Sequence, residues 1–412
     1  MEKIKSPHLE VREDWLNQLK EDPILPDLPI IDPHHHLWDV GFGKYYVEEL
    51  LDDIKVSGHN IKSTVYIMSS SNTKIYSNEG ADEYKPLTEI EFATNEGKRS
   101  DLIPNNTVKV NAAIVGSLDL TFGNKLEPVI EKGLEISEGR LKGIRMLLAS
   151  HPDTRISSGA VKSDLGLMLH PNFIDGAKCL QNANLSLDFW IYHTQLGEME
   201  KVARALPNLN IILNHVGGPI HLGEYEGRQA LTHREWRTAM MRLSRLPNIN
   251  VKLGGLGMAV NGAKFHEEPS PPTSVQLSEA WKPWIYETIN MFSINRCMFE
   301  SNFPVDKGSC SYGSLWNAFK IISDDMSDEE KNKLFEEYPQ TYVPSAVEQF
   351  QGLDLQLYQQ TNYPLALSAY GKPHLQLVLK YRPSFLNNRD ASNMLDFLRK
   401  ALLAMAGGGL EK

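Results

Sequence analysis

Short apolar runs alternate with longer amphipathic stretches along most of the chain, and this rhythm is its clearest feature. Each run ends in small or polar residues, the pattern of strands buried on both faces. Eight runs read as strands. They are "LPIID" (28–32), "STVYIM" (63–68), "VKVNAAIV" (108–115), "LKGIR" (141–145), "LSLDFWIYH" (185–193), "LNIILNH" (209–215), "INVKLGG" (249–255) and "RCMFESN" (296–302). Between them, "LGEMEKVARAL" (196–206) and "HREWRTAMMRLSRL" (233–246) carry apolar residues at helical spacing and stop at Pro207 and Pro247. Strands alternating with helices predict a parallel sheet covered by helices. Eight of them favour a closed (β/α)8 TIM barrel over an open doubly wound sheet. No GxGxxG follows the first strand, which argues against a dinucleotide site.

Two regions fall outside the rhythm. Residues 1–27 read as a polar N-terminal arm ending in "DPILPDLP". The barrel is placed at 28–344, and 345–412 is set apart as a C-terminal appendage of unknown role. Within it the signals are mixed, except for one expected helix, "DASNMLDFLRKALLAMA" (390–406).

Composition narrows the function classes. The 412 residues are 41% hydrophobic and 23% charged, as in soluble globular proteins. No run approaches the ~18–20 apolar residues of a membrane span, and "MEKIKSPHLEVREDW" contains no secretory apolar core. Cys179, Cys297 and Cys310 lack CxxC spacing and suit a reducing compartment, so a cytoplasmic location is expected. A formal charge of −10 argues against nucleic-acid or membrane partners. A small-molecule substrate is expected instead, with homo-oligomer formation left open.

In a barrel of this kind the chemistry sits where strands end at the C-terminal face. Strand 1 ends in Asp32-Pro33-His34-His35-His36, strand 5 in Tyr192-His193, strand 6 in Asn214-His215 and strand 8 in Glu300-Ser301-Asn302. Alternation along a strand puts Asp32, His34 and His36 on one face, with Asp32 a candidate support for the pair, and turns His35 away. One such histidine alone is more often a hydrogen-bonded rim residue. Four of them, ending three strands, suit a divalent ion that acidifies a water and polarises a carbonyl. Arg145, ending strand 4, could grip a carboxylate. Lys252 is expected to face the helices, and His59, His151, His170, His221, His233 and His266 to be surface residues.

These segments resemble the amidohydrolase superfamily, in its amidohydrolase-related branch. The likeness rests on "LPIIDPHHHLWD", "GIR", "YHTQLGEM", "LNHVGGP", "NVKLGG" and "CMFESNFPVD", and spans about residues 6–335. The resemblance implies metal ligation by His34, His36, His193 and His215, with zinc or manganese the expected ion and iron an alternative. It also implies hydrolysis of a lactone by a metal-activated water. Arg145, Trp38 and Tyr192 are the residues expected on the substrate. The superfamily's strand-8 Asp is replaced here by Asn302, and a carboxamide cannot act as a base at neutral pH. Asp306 is therefore assigned as the base, Glu300 being an alternative, and Asn302 as an orienting group. Three other outcomes stay open: an iron oxygenase using Glu91 of "EIEFATN", a decarboxylase, and a barrel that has lost catalysis. The closing segment "KLFEEYPQTYV" (333–343) also lacks the family's Asn-Ala.

Overall fold

The computed structural model describes residues 8–40, 43–69, 80–156, 164–337, 354–358, 365–371 and 375–381. Eight parallel strands form one sheet in sequential order. They are β1 (Pro29–His35), β2 (Asn60–Ile67), β3 (Lys109–Ser117), β4 (Leu141–Leu147), β5 (Ser186–Trp190), β6 (Ile211–Leu213), β7 (Ile249–Leu253) and β8 (Cys297–Phe299). Every predicted strand has a counterpart, and the sheet with its surrounding helices is a (β/α)8 barrel.

The seam between β8 and β1 is made beyond the end of β8. Asn302 donates its N–H to His34 O (2.9 Å), and His36 donates its N–H to Phe303 O (2.7 Å). The strand-1 histidines therefore help to close the barrel.

Alternation along the strands separates two cores. Val65 and Ile67 of β2, Ala113 and Val115 of β3, Ile212 and Met298 form a small cluster of their own. The opposite faces join a large layer shared with the helices. Helix α1 spans Val47–Ser57, α2 Leu87–Asp101, α3 Leu126–Ile136, α4 Phe173–Asn182, α5 Leu196–Ala205 and α6 Gln229–Leu243. The last three are α7 (Ser274–Phe292), α8 (Tyr312–Ile322) and α9 (Asp328–Phe335). In α5, Leu196, Met199, Val202 and Ala203 are buried, the i, i+3, i+4 stripe that packs a helix on a sheet. Helix α6 begins four residues before the expected His233 and buries Thr232, Trp236, Ala239, Met240 and Leu243. Boxes of Thr273 with Gln276 and Ser327 with Glu330 start α7 and α9.

The N-terminal arm is packed onto the barrel. Trp15 is buried and donates Nε1–H to Glu268 O (3.1 Å), while Arg12 donates to His266 O (2.6 Å). Lys320 of α8 donates to Leu25 O (2.8 Å) and also contacts His59 Nδ1 (2.9 Å). His59 is therefore buried, contrary to the surface position expected of it.

The chain divides into two compact units, Met1–Tyr342 and Val343–Lys412. The described part of the second unit is a three-stranded sheet of Asp354–Tyr358, Leu365–Gly371 and Leu375–Tyr381. Its last strand pairs parallel with the first and antiparallel with the second. The helix expected at 390–406 lies outside the described residues.

Candidate active site

The end of β1 carries the first part of the site. A register irregularity falls between Asp32 and His35. His34 and His36 face each other, their Nε2 atoms 3.3 Å apart. His35 turns the other way and meets Thr64 Oγ1 of β2 at 2.8 Å, with Tyr66 edge-on. The irregularity changes the fate of Asp32, which does not support either imidazole ring. Its carboxylate accepts from Ser301 N–H (3.0 Å), Ser301 Oγ (2.5 Å), Tyr312 Oη of α8 (2.9 Å) and His34 N–H (3.2 Å). Burial pushes Asp32 up to about 6 against the pull of those bonds.

His215 comes to the same place from the end of β6. Its ring lies 4.7 Å from that of His34, centroid to centroid. Four consecutive residues there have positive φ: His215 (54°), Val216 (47°), Gly217 (77°) and Gly218 (59°). The left-handed region is costly for a β-branched residue, about 1–3 kcal/mol. Trp236 Nε1–H donates to Val216 O (2.6 Å), and His193 N–H to Gly218 O (2.9 Å), which help to hold the turn.

Glu300, fully buried, joins the two histidines. Its Oε1 accepts from His215 Nδ1 (2.7 Å) and His215 N (3.1 Å), and its Oε2 lies 2.7 Å from His34 Nδ1. Among the described residues, His34, His215 and Glu300 form the one cluster of three whose ligand atoms fall within a metal's reach of each other. Burial, with the neighbouring Lys252 and Arg145 charges among further causes, keeps His34 and His215 below the usual imidazole range. Burial, reinforced by Arg145, does the same for His36. Their nitrogen lone pairs are thus available for ligation near neutrality.

Two cations stand beside the same histidines. Arg145 is buried, with NH1 3.3 Å from His34 Nε2 and NH2 donating to Met68 O (2.7 Å). Its Nε has no hydrogen-bond partner among the described residues. Lys252 points into the barrel rather than to the helices, and its Nζ donates to Asp188 Oδ2 of β5 at 2.8 Å. Asn214 donates to that same oxygen (3.0 Å).

Past β8, Asn302 donates Nδ2–H to Asp306 Oδ1 (2.8 Å), and Gly257 N–H donates to Asp306 Oδ2 (2.9 Å). Burial raises Asp306 from the usual carboxylate range to about 7. The amide at the unusual strand-8 position therefore steadies a carboxylate four residues on.

Other expected residues are distributed more widely. His193 stands apart from the other three histidines. Its Nδ1 accepts from Ile220 N–H (3.2 Å), its Nε2 lies 3.7 Å from Glu235 Oε2, and its ring packs on Tyr225. The turn that begins at Tyr192 carries the His193 ring toward α6 instead of the barrel axis. Trp38 is buried and stacked between His36 (centroids 5.8 Å) and His8 of the arm (5.5 Å). Tyr192 is buried beside Trp190. Glu91 is exposed on α2, so the carboxylate required by the oxygenase alternative is not at the site. Glu89, fully buried on that helix, accepts from Tyr66 Oη (2.8 Å) and Ser69 N–H (2.6 Å).

Asp188 and the bridging role of Glu300 were missed from sequence. An Asp in the middle of the apolar run "LSLDFW" was the available signal, since a buried carboxylate needs a partner. A cavity of about 670 Å³ opens between the loops after β6 and β7, with Trp284, His221 and Lys264 in its wall. Residues 261–264 of the loop after β7 contribute to this wall.

The chain is 29% identical over 334 residues to the uncharacterized protein y4mH of Sinorhizobium fredii (strain NBRC 101917 / NGR234), covering 77% of this chain and 99% of that one. The crystal structure of a Burkholderia multivorans amidohydrolase with bound zinc matches with a TM-score of 0.56 at 20% identity, over 74% of this chain and 96% of that one. A candidate 2-pyrone-4,6-dicarboxylic acid hydrolase from Pseudomonas putida matches with a TM-score of 0.50 at 13% identity, over 76% and 97%. At those identities the two structures share the fold. The family model for amidohydrolases matches residues 31–337, and the chain belongs to that family.

Proposed function

We propose that this amidohydrolase is metal-dependent and opens the lactone ring of a small carboxylate-bearing substrate. One observation carries the metal reading. The His34 and His36 Nε2 atoms are 3.3 Å apart, while His36 Nδ1 is turned to Ile67 O (2.9 Å). That carbonyl can only accept, so His36 Nδ1 holds the proton and its Nε2 presents a lone pair. Two nitrogens at about 2.0–2.1 Å from one tetrahedral ion stand about 3.3–3.4 Å apart. The observed edge fits that spacing. Zinc or manganese suits such imidazole donors, and the zinc bound by the Burkholderia relative is in keeping with it.

His34, His36 and His215 would hold the ion; when bound, it supplies an acidified water and a polarised carbonyl. Arg145 meets a substrate carboxylate through its unpartnered Nε and the adjoining NH groups. Asp306, which titrates near neutrality, receives the proton released by the water. Asn302 holds Asp306 in place. Burial of these groups excludes bulk water and strengthens each charge interaction.

A panel of small lactones, with and without a carboxylate, tests this reading. Turnover is expected on the carboxylate-bearing members and should fall to background in the His34→Ala/His36→Ala double variant. Unchanged turnover in that variant would overturn it.

A further inference from the structure

We propose that Glu300 is the positioning residue of the site. It holds His34 and His215 in the tautomer that puts a lone pair on each Nε2, the atom offered to the ion. This rests on the metal-dependent reading above and extends it to a residue that touches neither substrate nor ion.

The chain makes room for this side chain. A Cβ at Gly254 would lie 2.5 Å from Glu300 Cγ and 2.4 Å from Glu300 O. At Gly255, where φ is +65°, a Cβ would lie 2.3 Å from His215 Nδ1. The paired glycines of "KLGG" thus cradle the carboxylate and the ring it bonds. The left-handed backbone of His215 aims both its N–H and its Nδ1 at the same oxygen, Glu300 Oε1.

A carboxylate oxygen only accepts, so His215 Nδ1 must carry the proton. At His34, Glu300 Oε2 is close to Nδ1 (2.7 Å) without lying along the N–H direction. A negative oxygen at that distance still favours a proton on Nδ1 over a lone pair. Lys252 Nζ approaches the same nitrogen at 3.5 Å, but its nearer partner is Asp188 at 2.8 Å. With His36 fixed by Ile67 O, all three rings share one tautomer.

Glu300 could instead be a ligand itself, since its two oxygens each lie 2.7 Å from one of the Nδ1 atoms. Separations of 2.7 Å are too short for two ligands on one ion, which need about 3.3 Å. The His215 separation fits a hydrogen bond, and the His34 separation fits a close charge contact. Carboxylates that hold ligating histidines in this way commonly change metal affinity 10–100-fold when removed.

Histidine-selective ¹⁵N NMR of the metal-free protein reads the tautomers directly, with assignments from single His variants. His34, His36 and His215 should all be protonated at Nδ1. In Glu300→Gln, His34 and His215 should gain Nε2–H population while His36 keeps its state. Chelator competition should show zinc bound about 10–100-fold more weakly by Glu300→Gln. Wild-type protein with Nε2–H on His34 or His215 would overturn the proposal whatever the Glu300 variant shows. Unchanged tautomers and affinity in a folded Glu300→Gln would overturn it, as would X-ray absorption placing a Glu300 oxygen on bound zinc. If wild type binds no metal but shows the three Nδ1–H tautomers, the hydrolase reading fails and the role of Glu300 in setting the rings stands.

Discussion

The Nε2 atoms of His34 and His36 stand 3.3 Å apart, although one residue between them, His35, faces the opposite side of β1. The three adjacent histidines therefore make separable predictions. His34→Ala and His36→Ala should each abolish stoichiometric metal binding. His35→Gln should keep the metal and lose about 1–3 kcal/mol of stability, because it disturbs a buried hydrogen bond to Thr64. Elemental analysis and chemical denaturation of the three variants check this. Metal loss in His35→Gln alone would contradict it.

The Lys252–Asp188 pair is fully buried. Breaking such a pair strands a charge in a medium that solvates it poorly, at about 3–5 kcal/mol. Lys252→Met should destabilise by that order in urea unfolding. Combining it with Asp188→Asn should cost less than the two single changes added together. Strict additivity would show that the pair is not coupled.

Arg145 is expected to act mainly in substrate binding. Arg145→Lys keeps the charge but loses the planar fork. KM for a carboxylate-bearing lactone should rise about 10–100-fold, as for loss of a charged hydrogen bond of about 1.5–3 kcal/mol. The neutral analogue should be much less affected. An equal loss on both would assign Arg145 a structural role instead.

Asp306 gives a pH dependence whose sign follows from burial. Its folded value is about 7 against an ordinary 3.8, so its contribution to stability is full below about 3.8 and lost as pH rises through 7. The Tm of wild type should therefore fall relative to Asp306→Asn between pH 4 and pH 7. As the proton acceptor, Asp306 should also make kcat/KM rise with pH through the neutral range. A flat profile in that range would remove it from the reaction.

What could be read from sequence follows the range of the interactions involved. Strands and their ends depend on local pattern, so the barrel and the placement of His34, His36, His215 and Arg145 followed from it. Asp32 was read from simple alternation, and one irregularity in β1 sent its carboxylate to Ser301 and Tyr312. His193 was carried with its neighbours, yet the turn after Tyr192 puts its ring beside Tyr225. The Glu300 bridge joins residues 85 positions apart through space that two glycines provide, and spacing alone does not announce such a contact. Lys252, expected to face the helices, is held inside the barrel by Asp188, and that partner lies on another strand.

Lactone opening should depend on an ion held by the strand-end histidines. The most direct test of this dependence is turnover of a carboxylate-bearing lactone by protein stripped with a chelator, before and after zinc or manganese is restored at one equivalent. Activity should vanish on stripping and return with the metal in wild type, but not in His36→Ala. Full turnover by the metal-free protein would contradict this dependence.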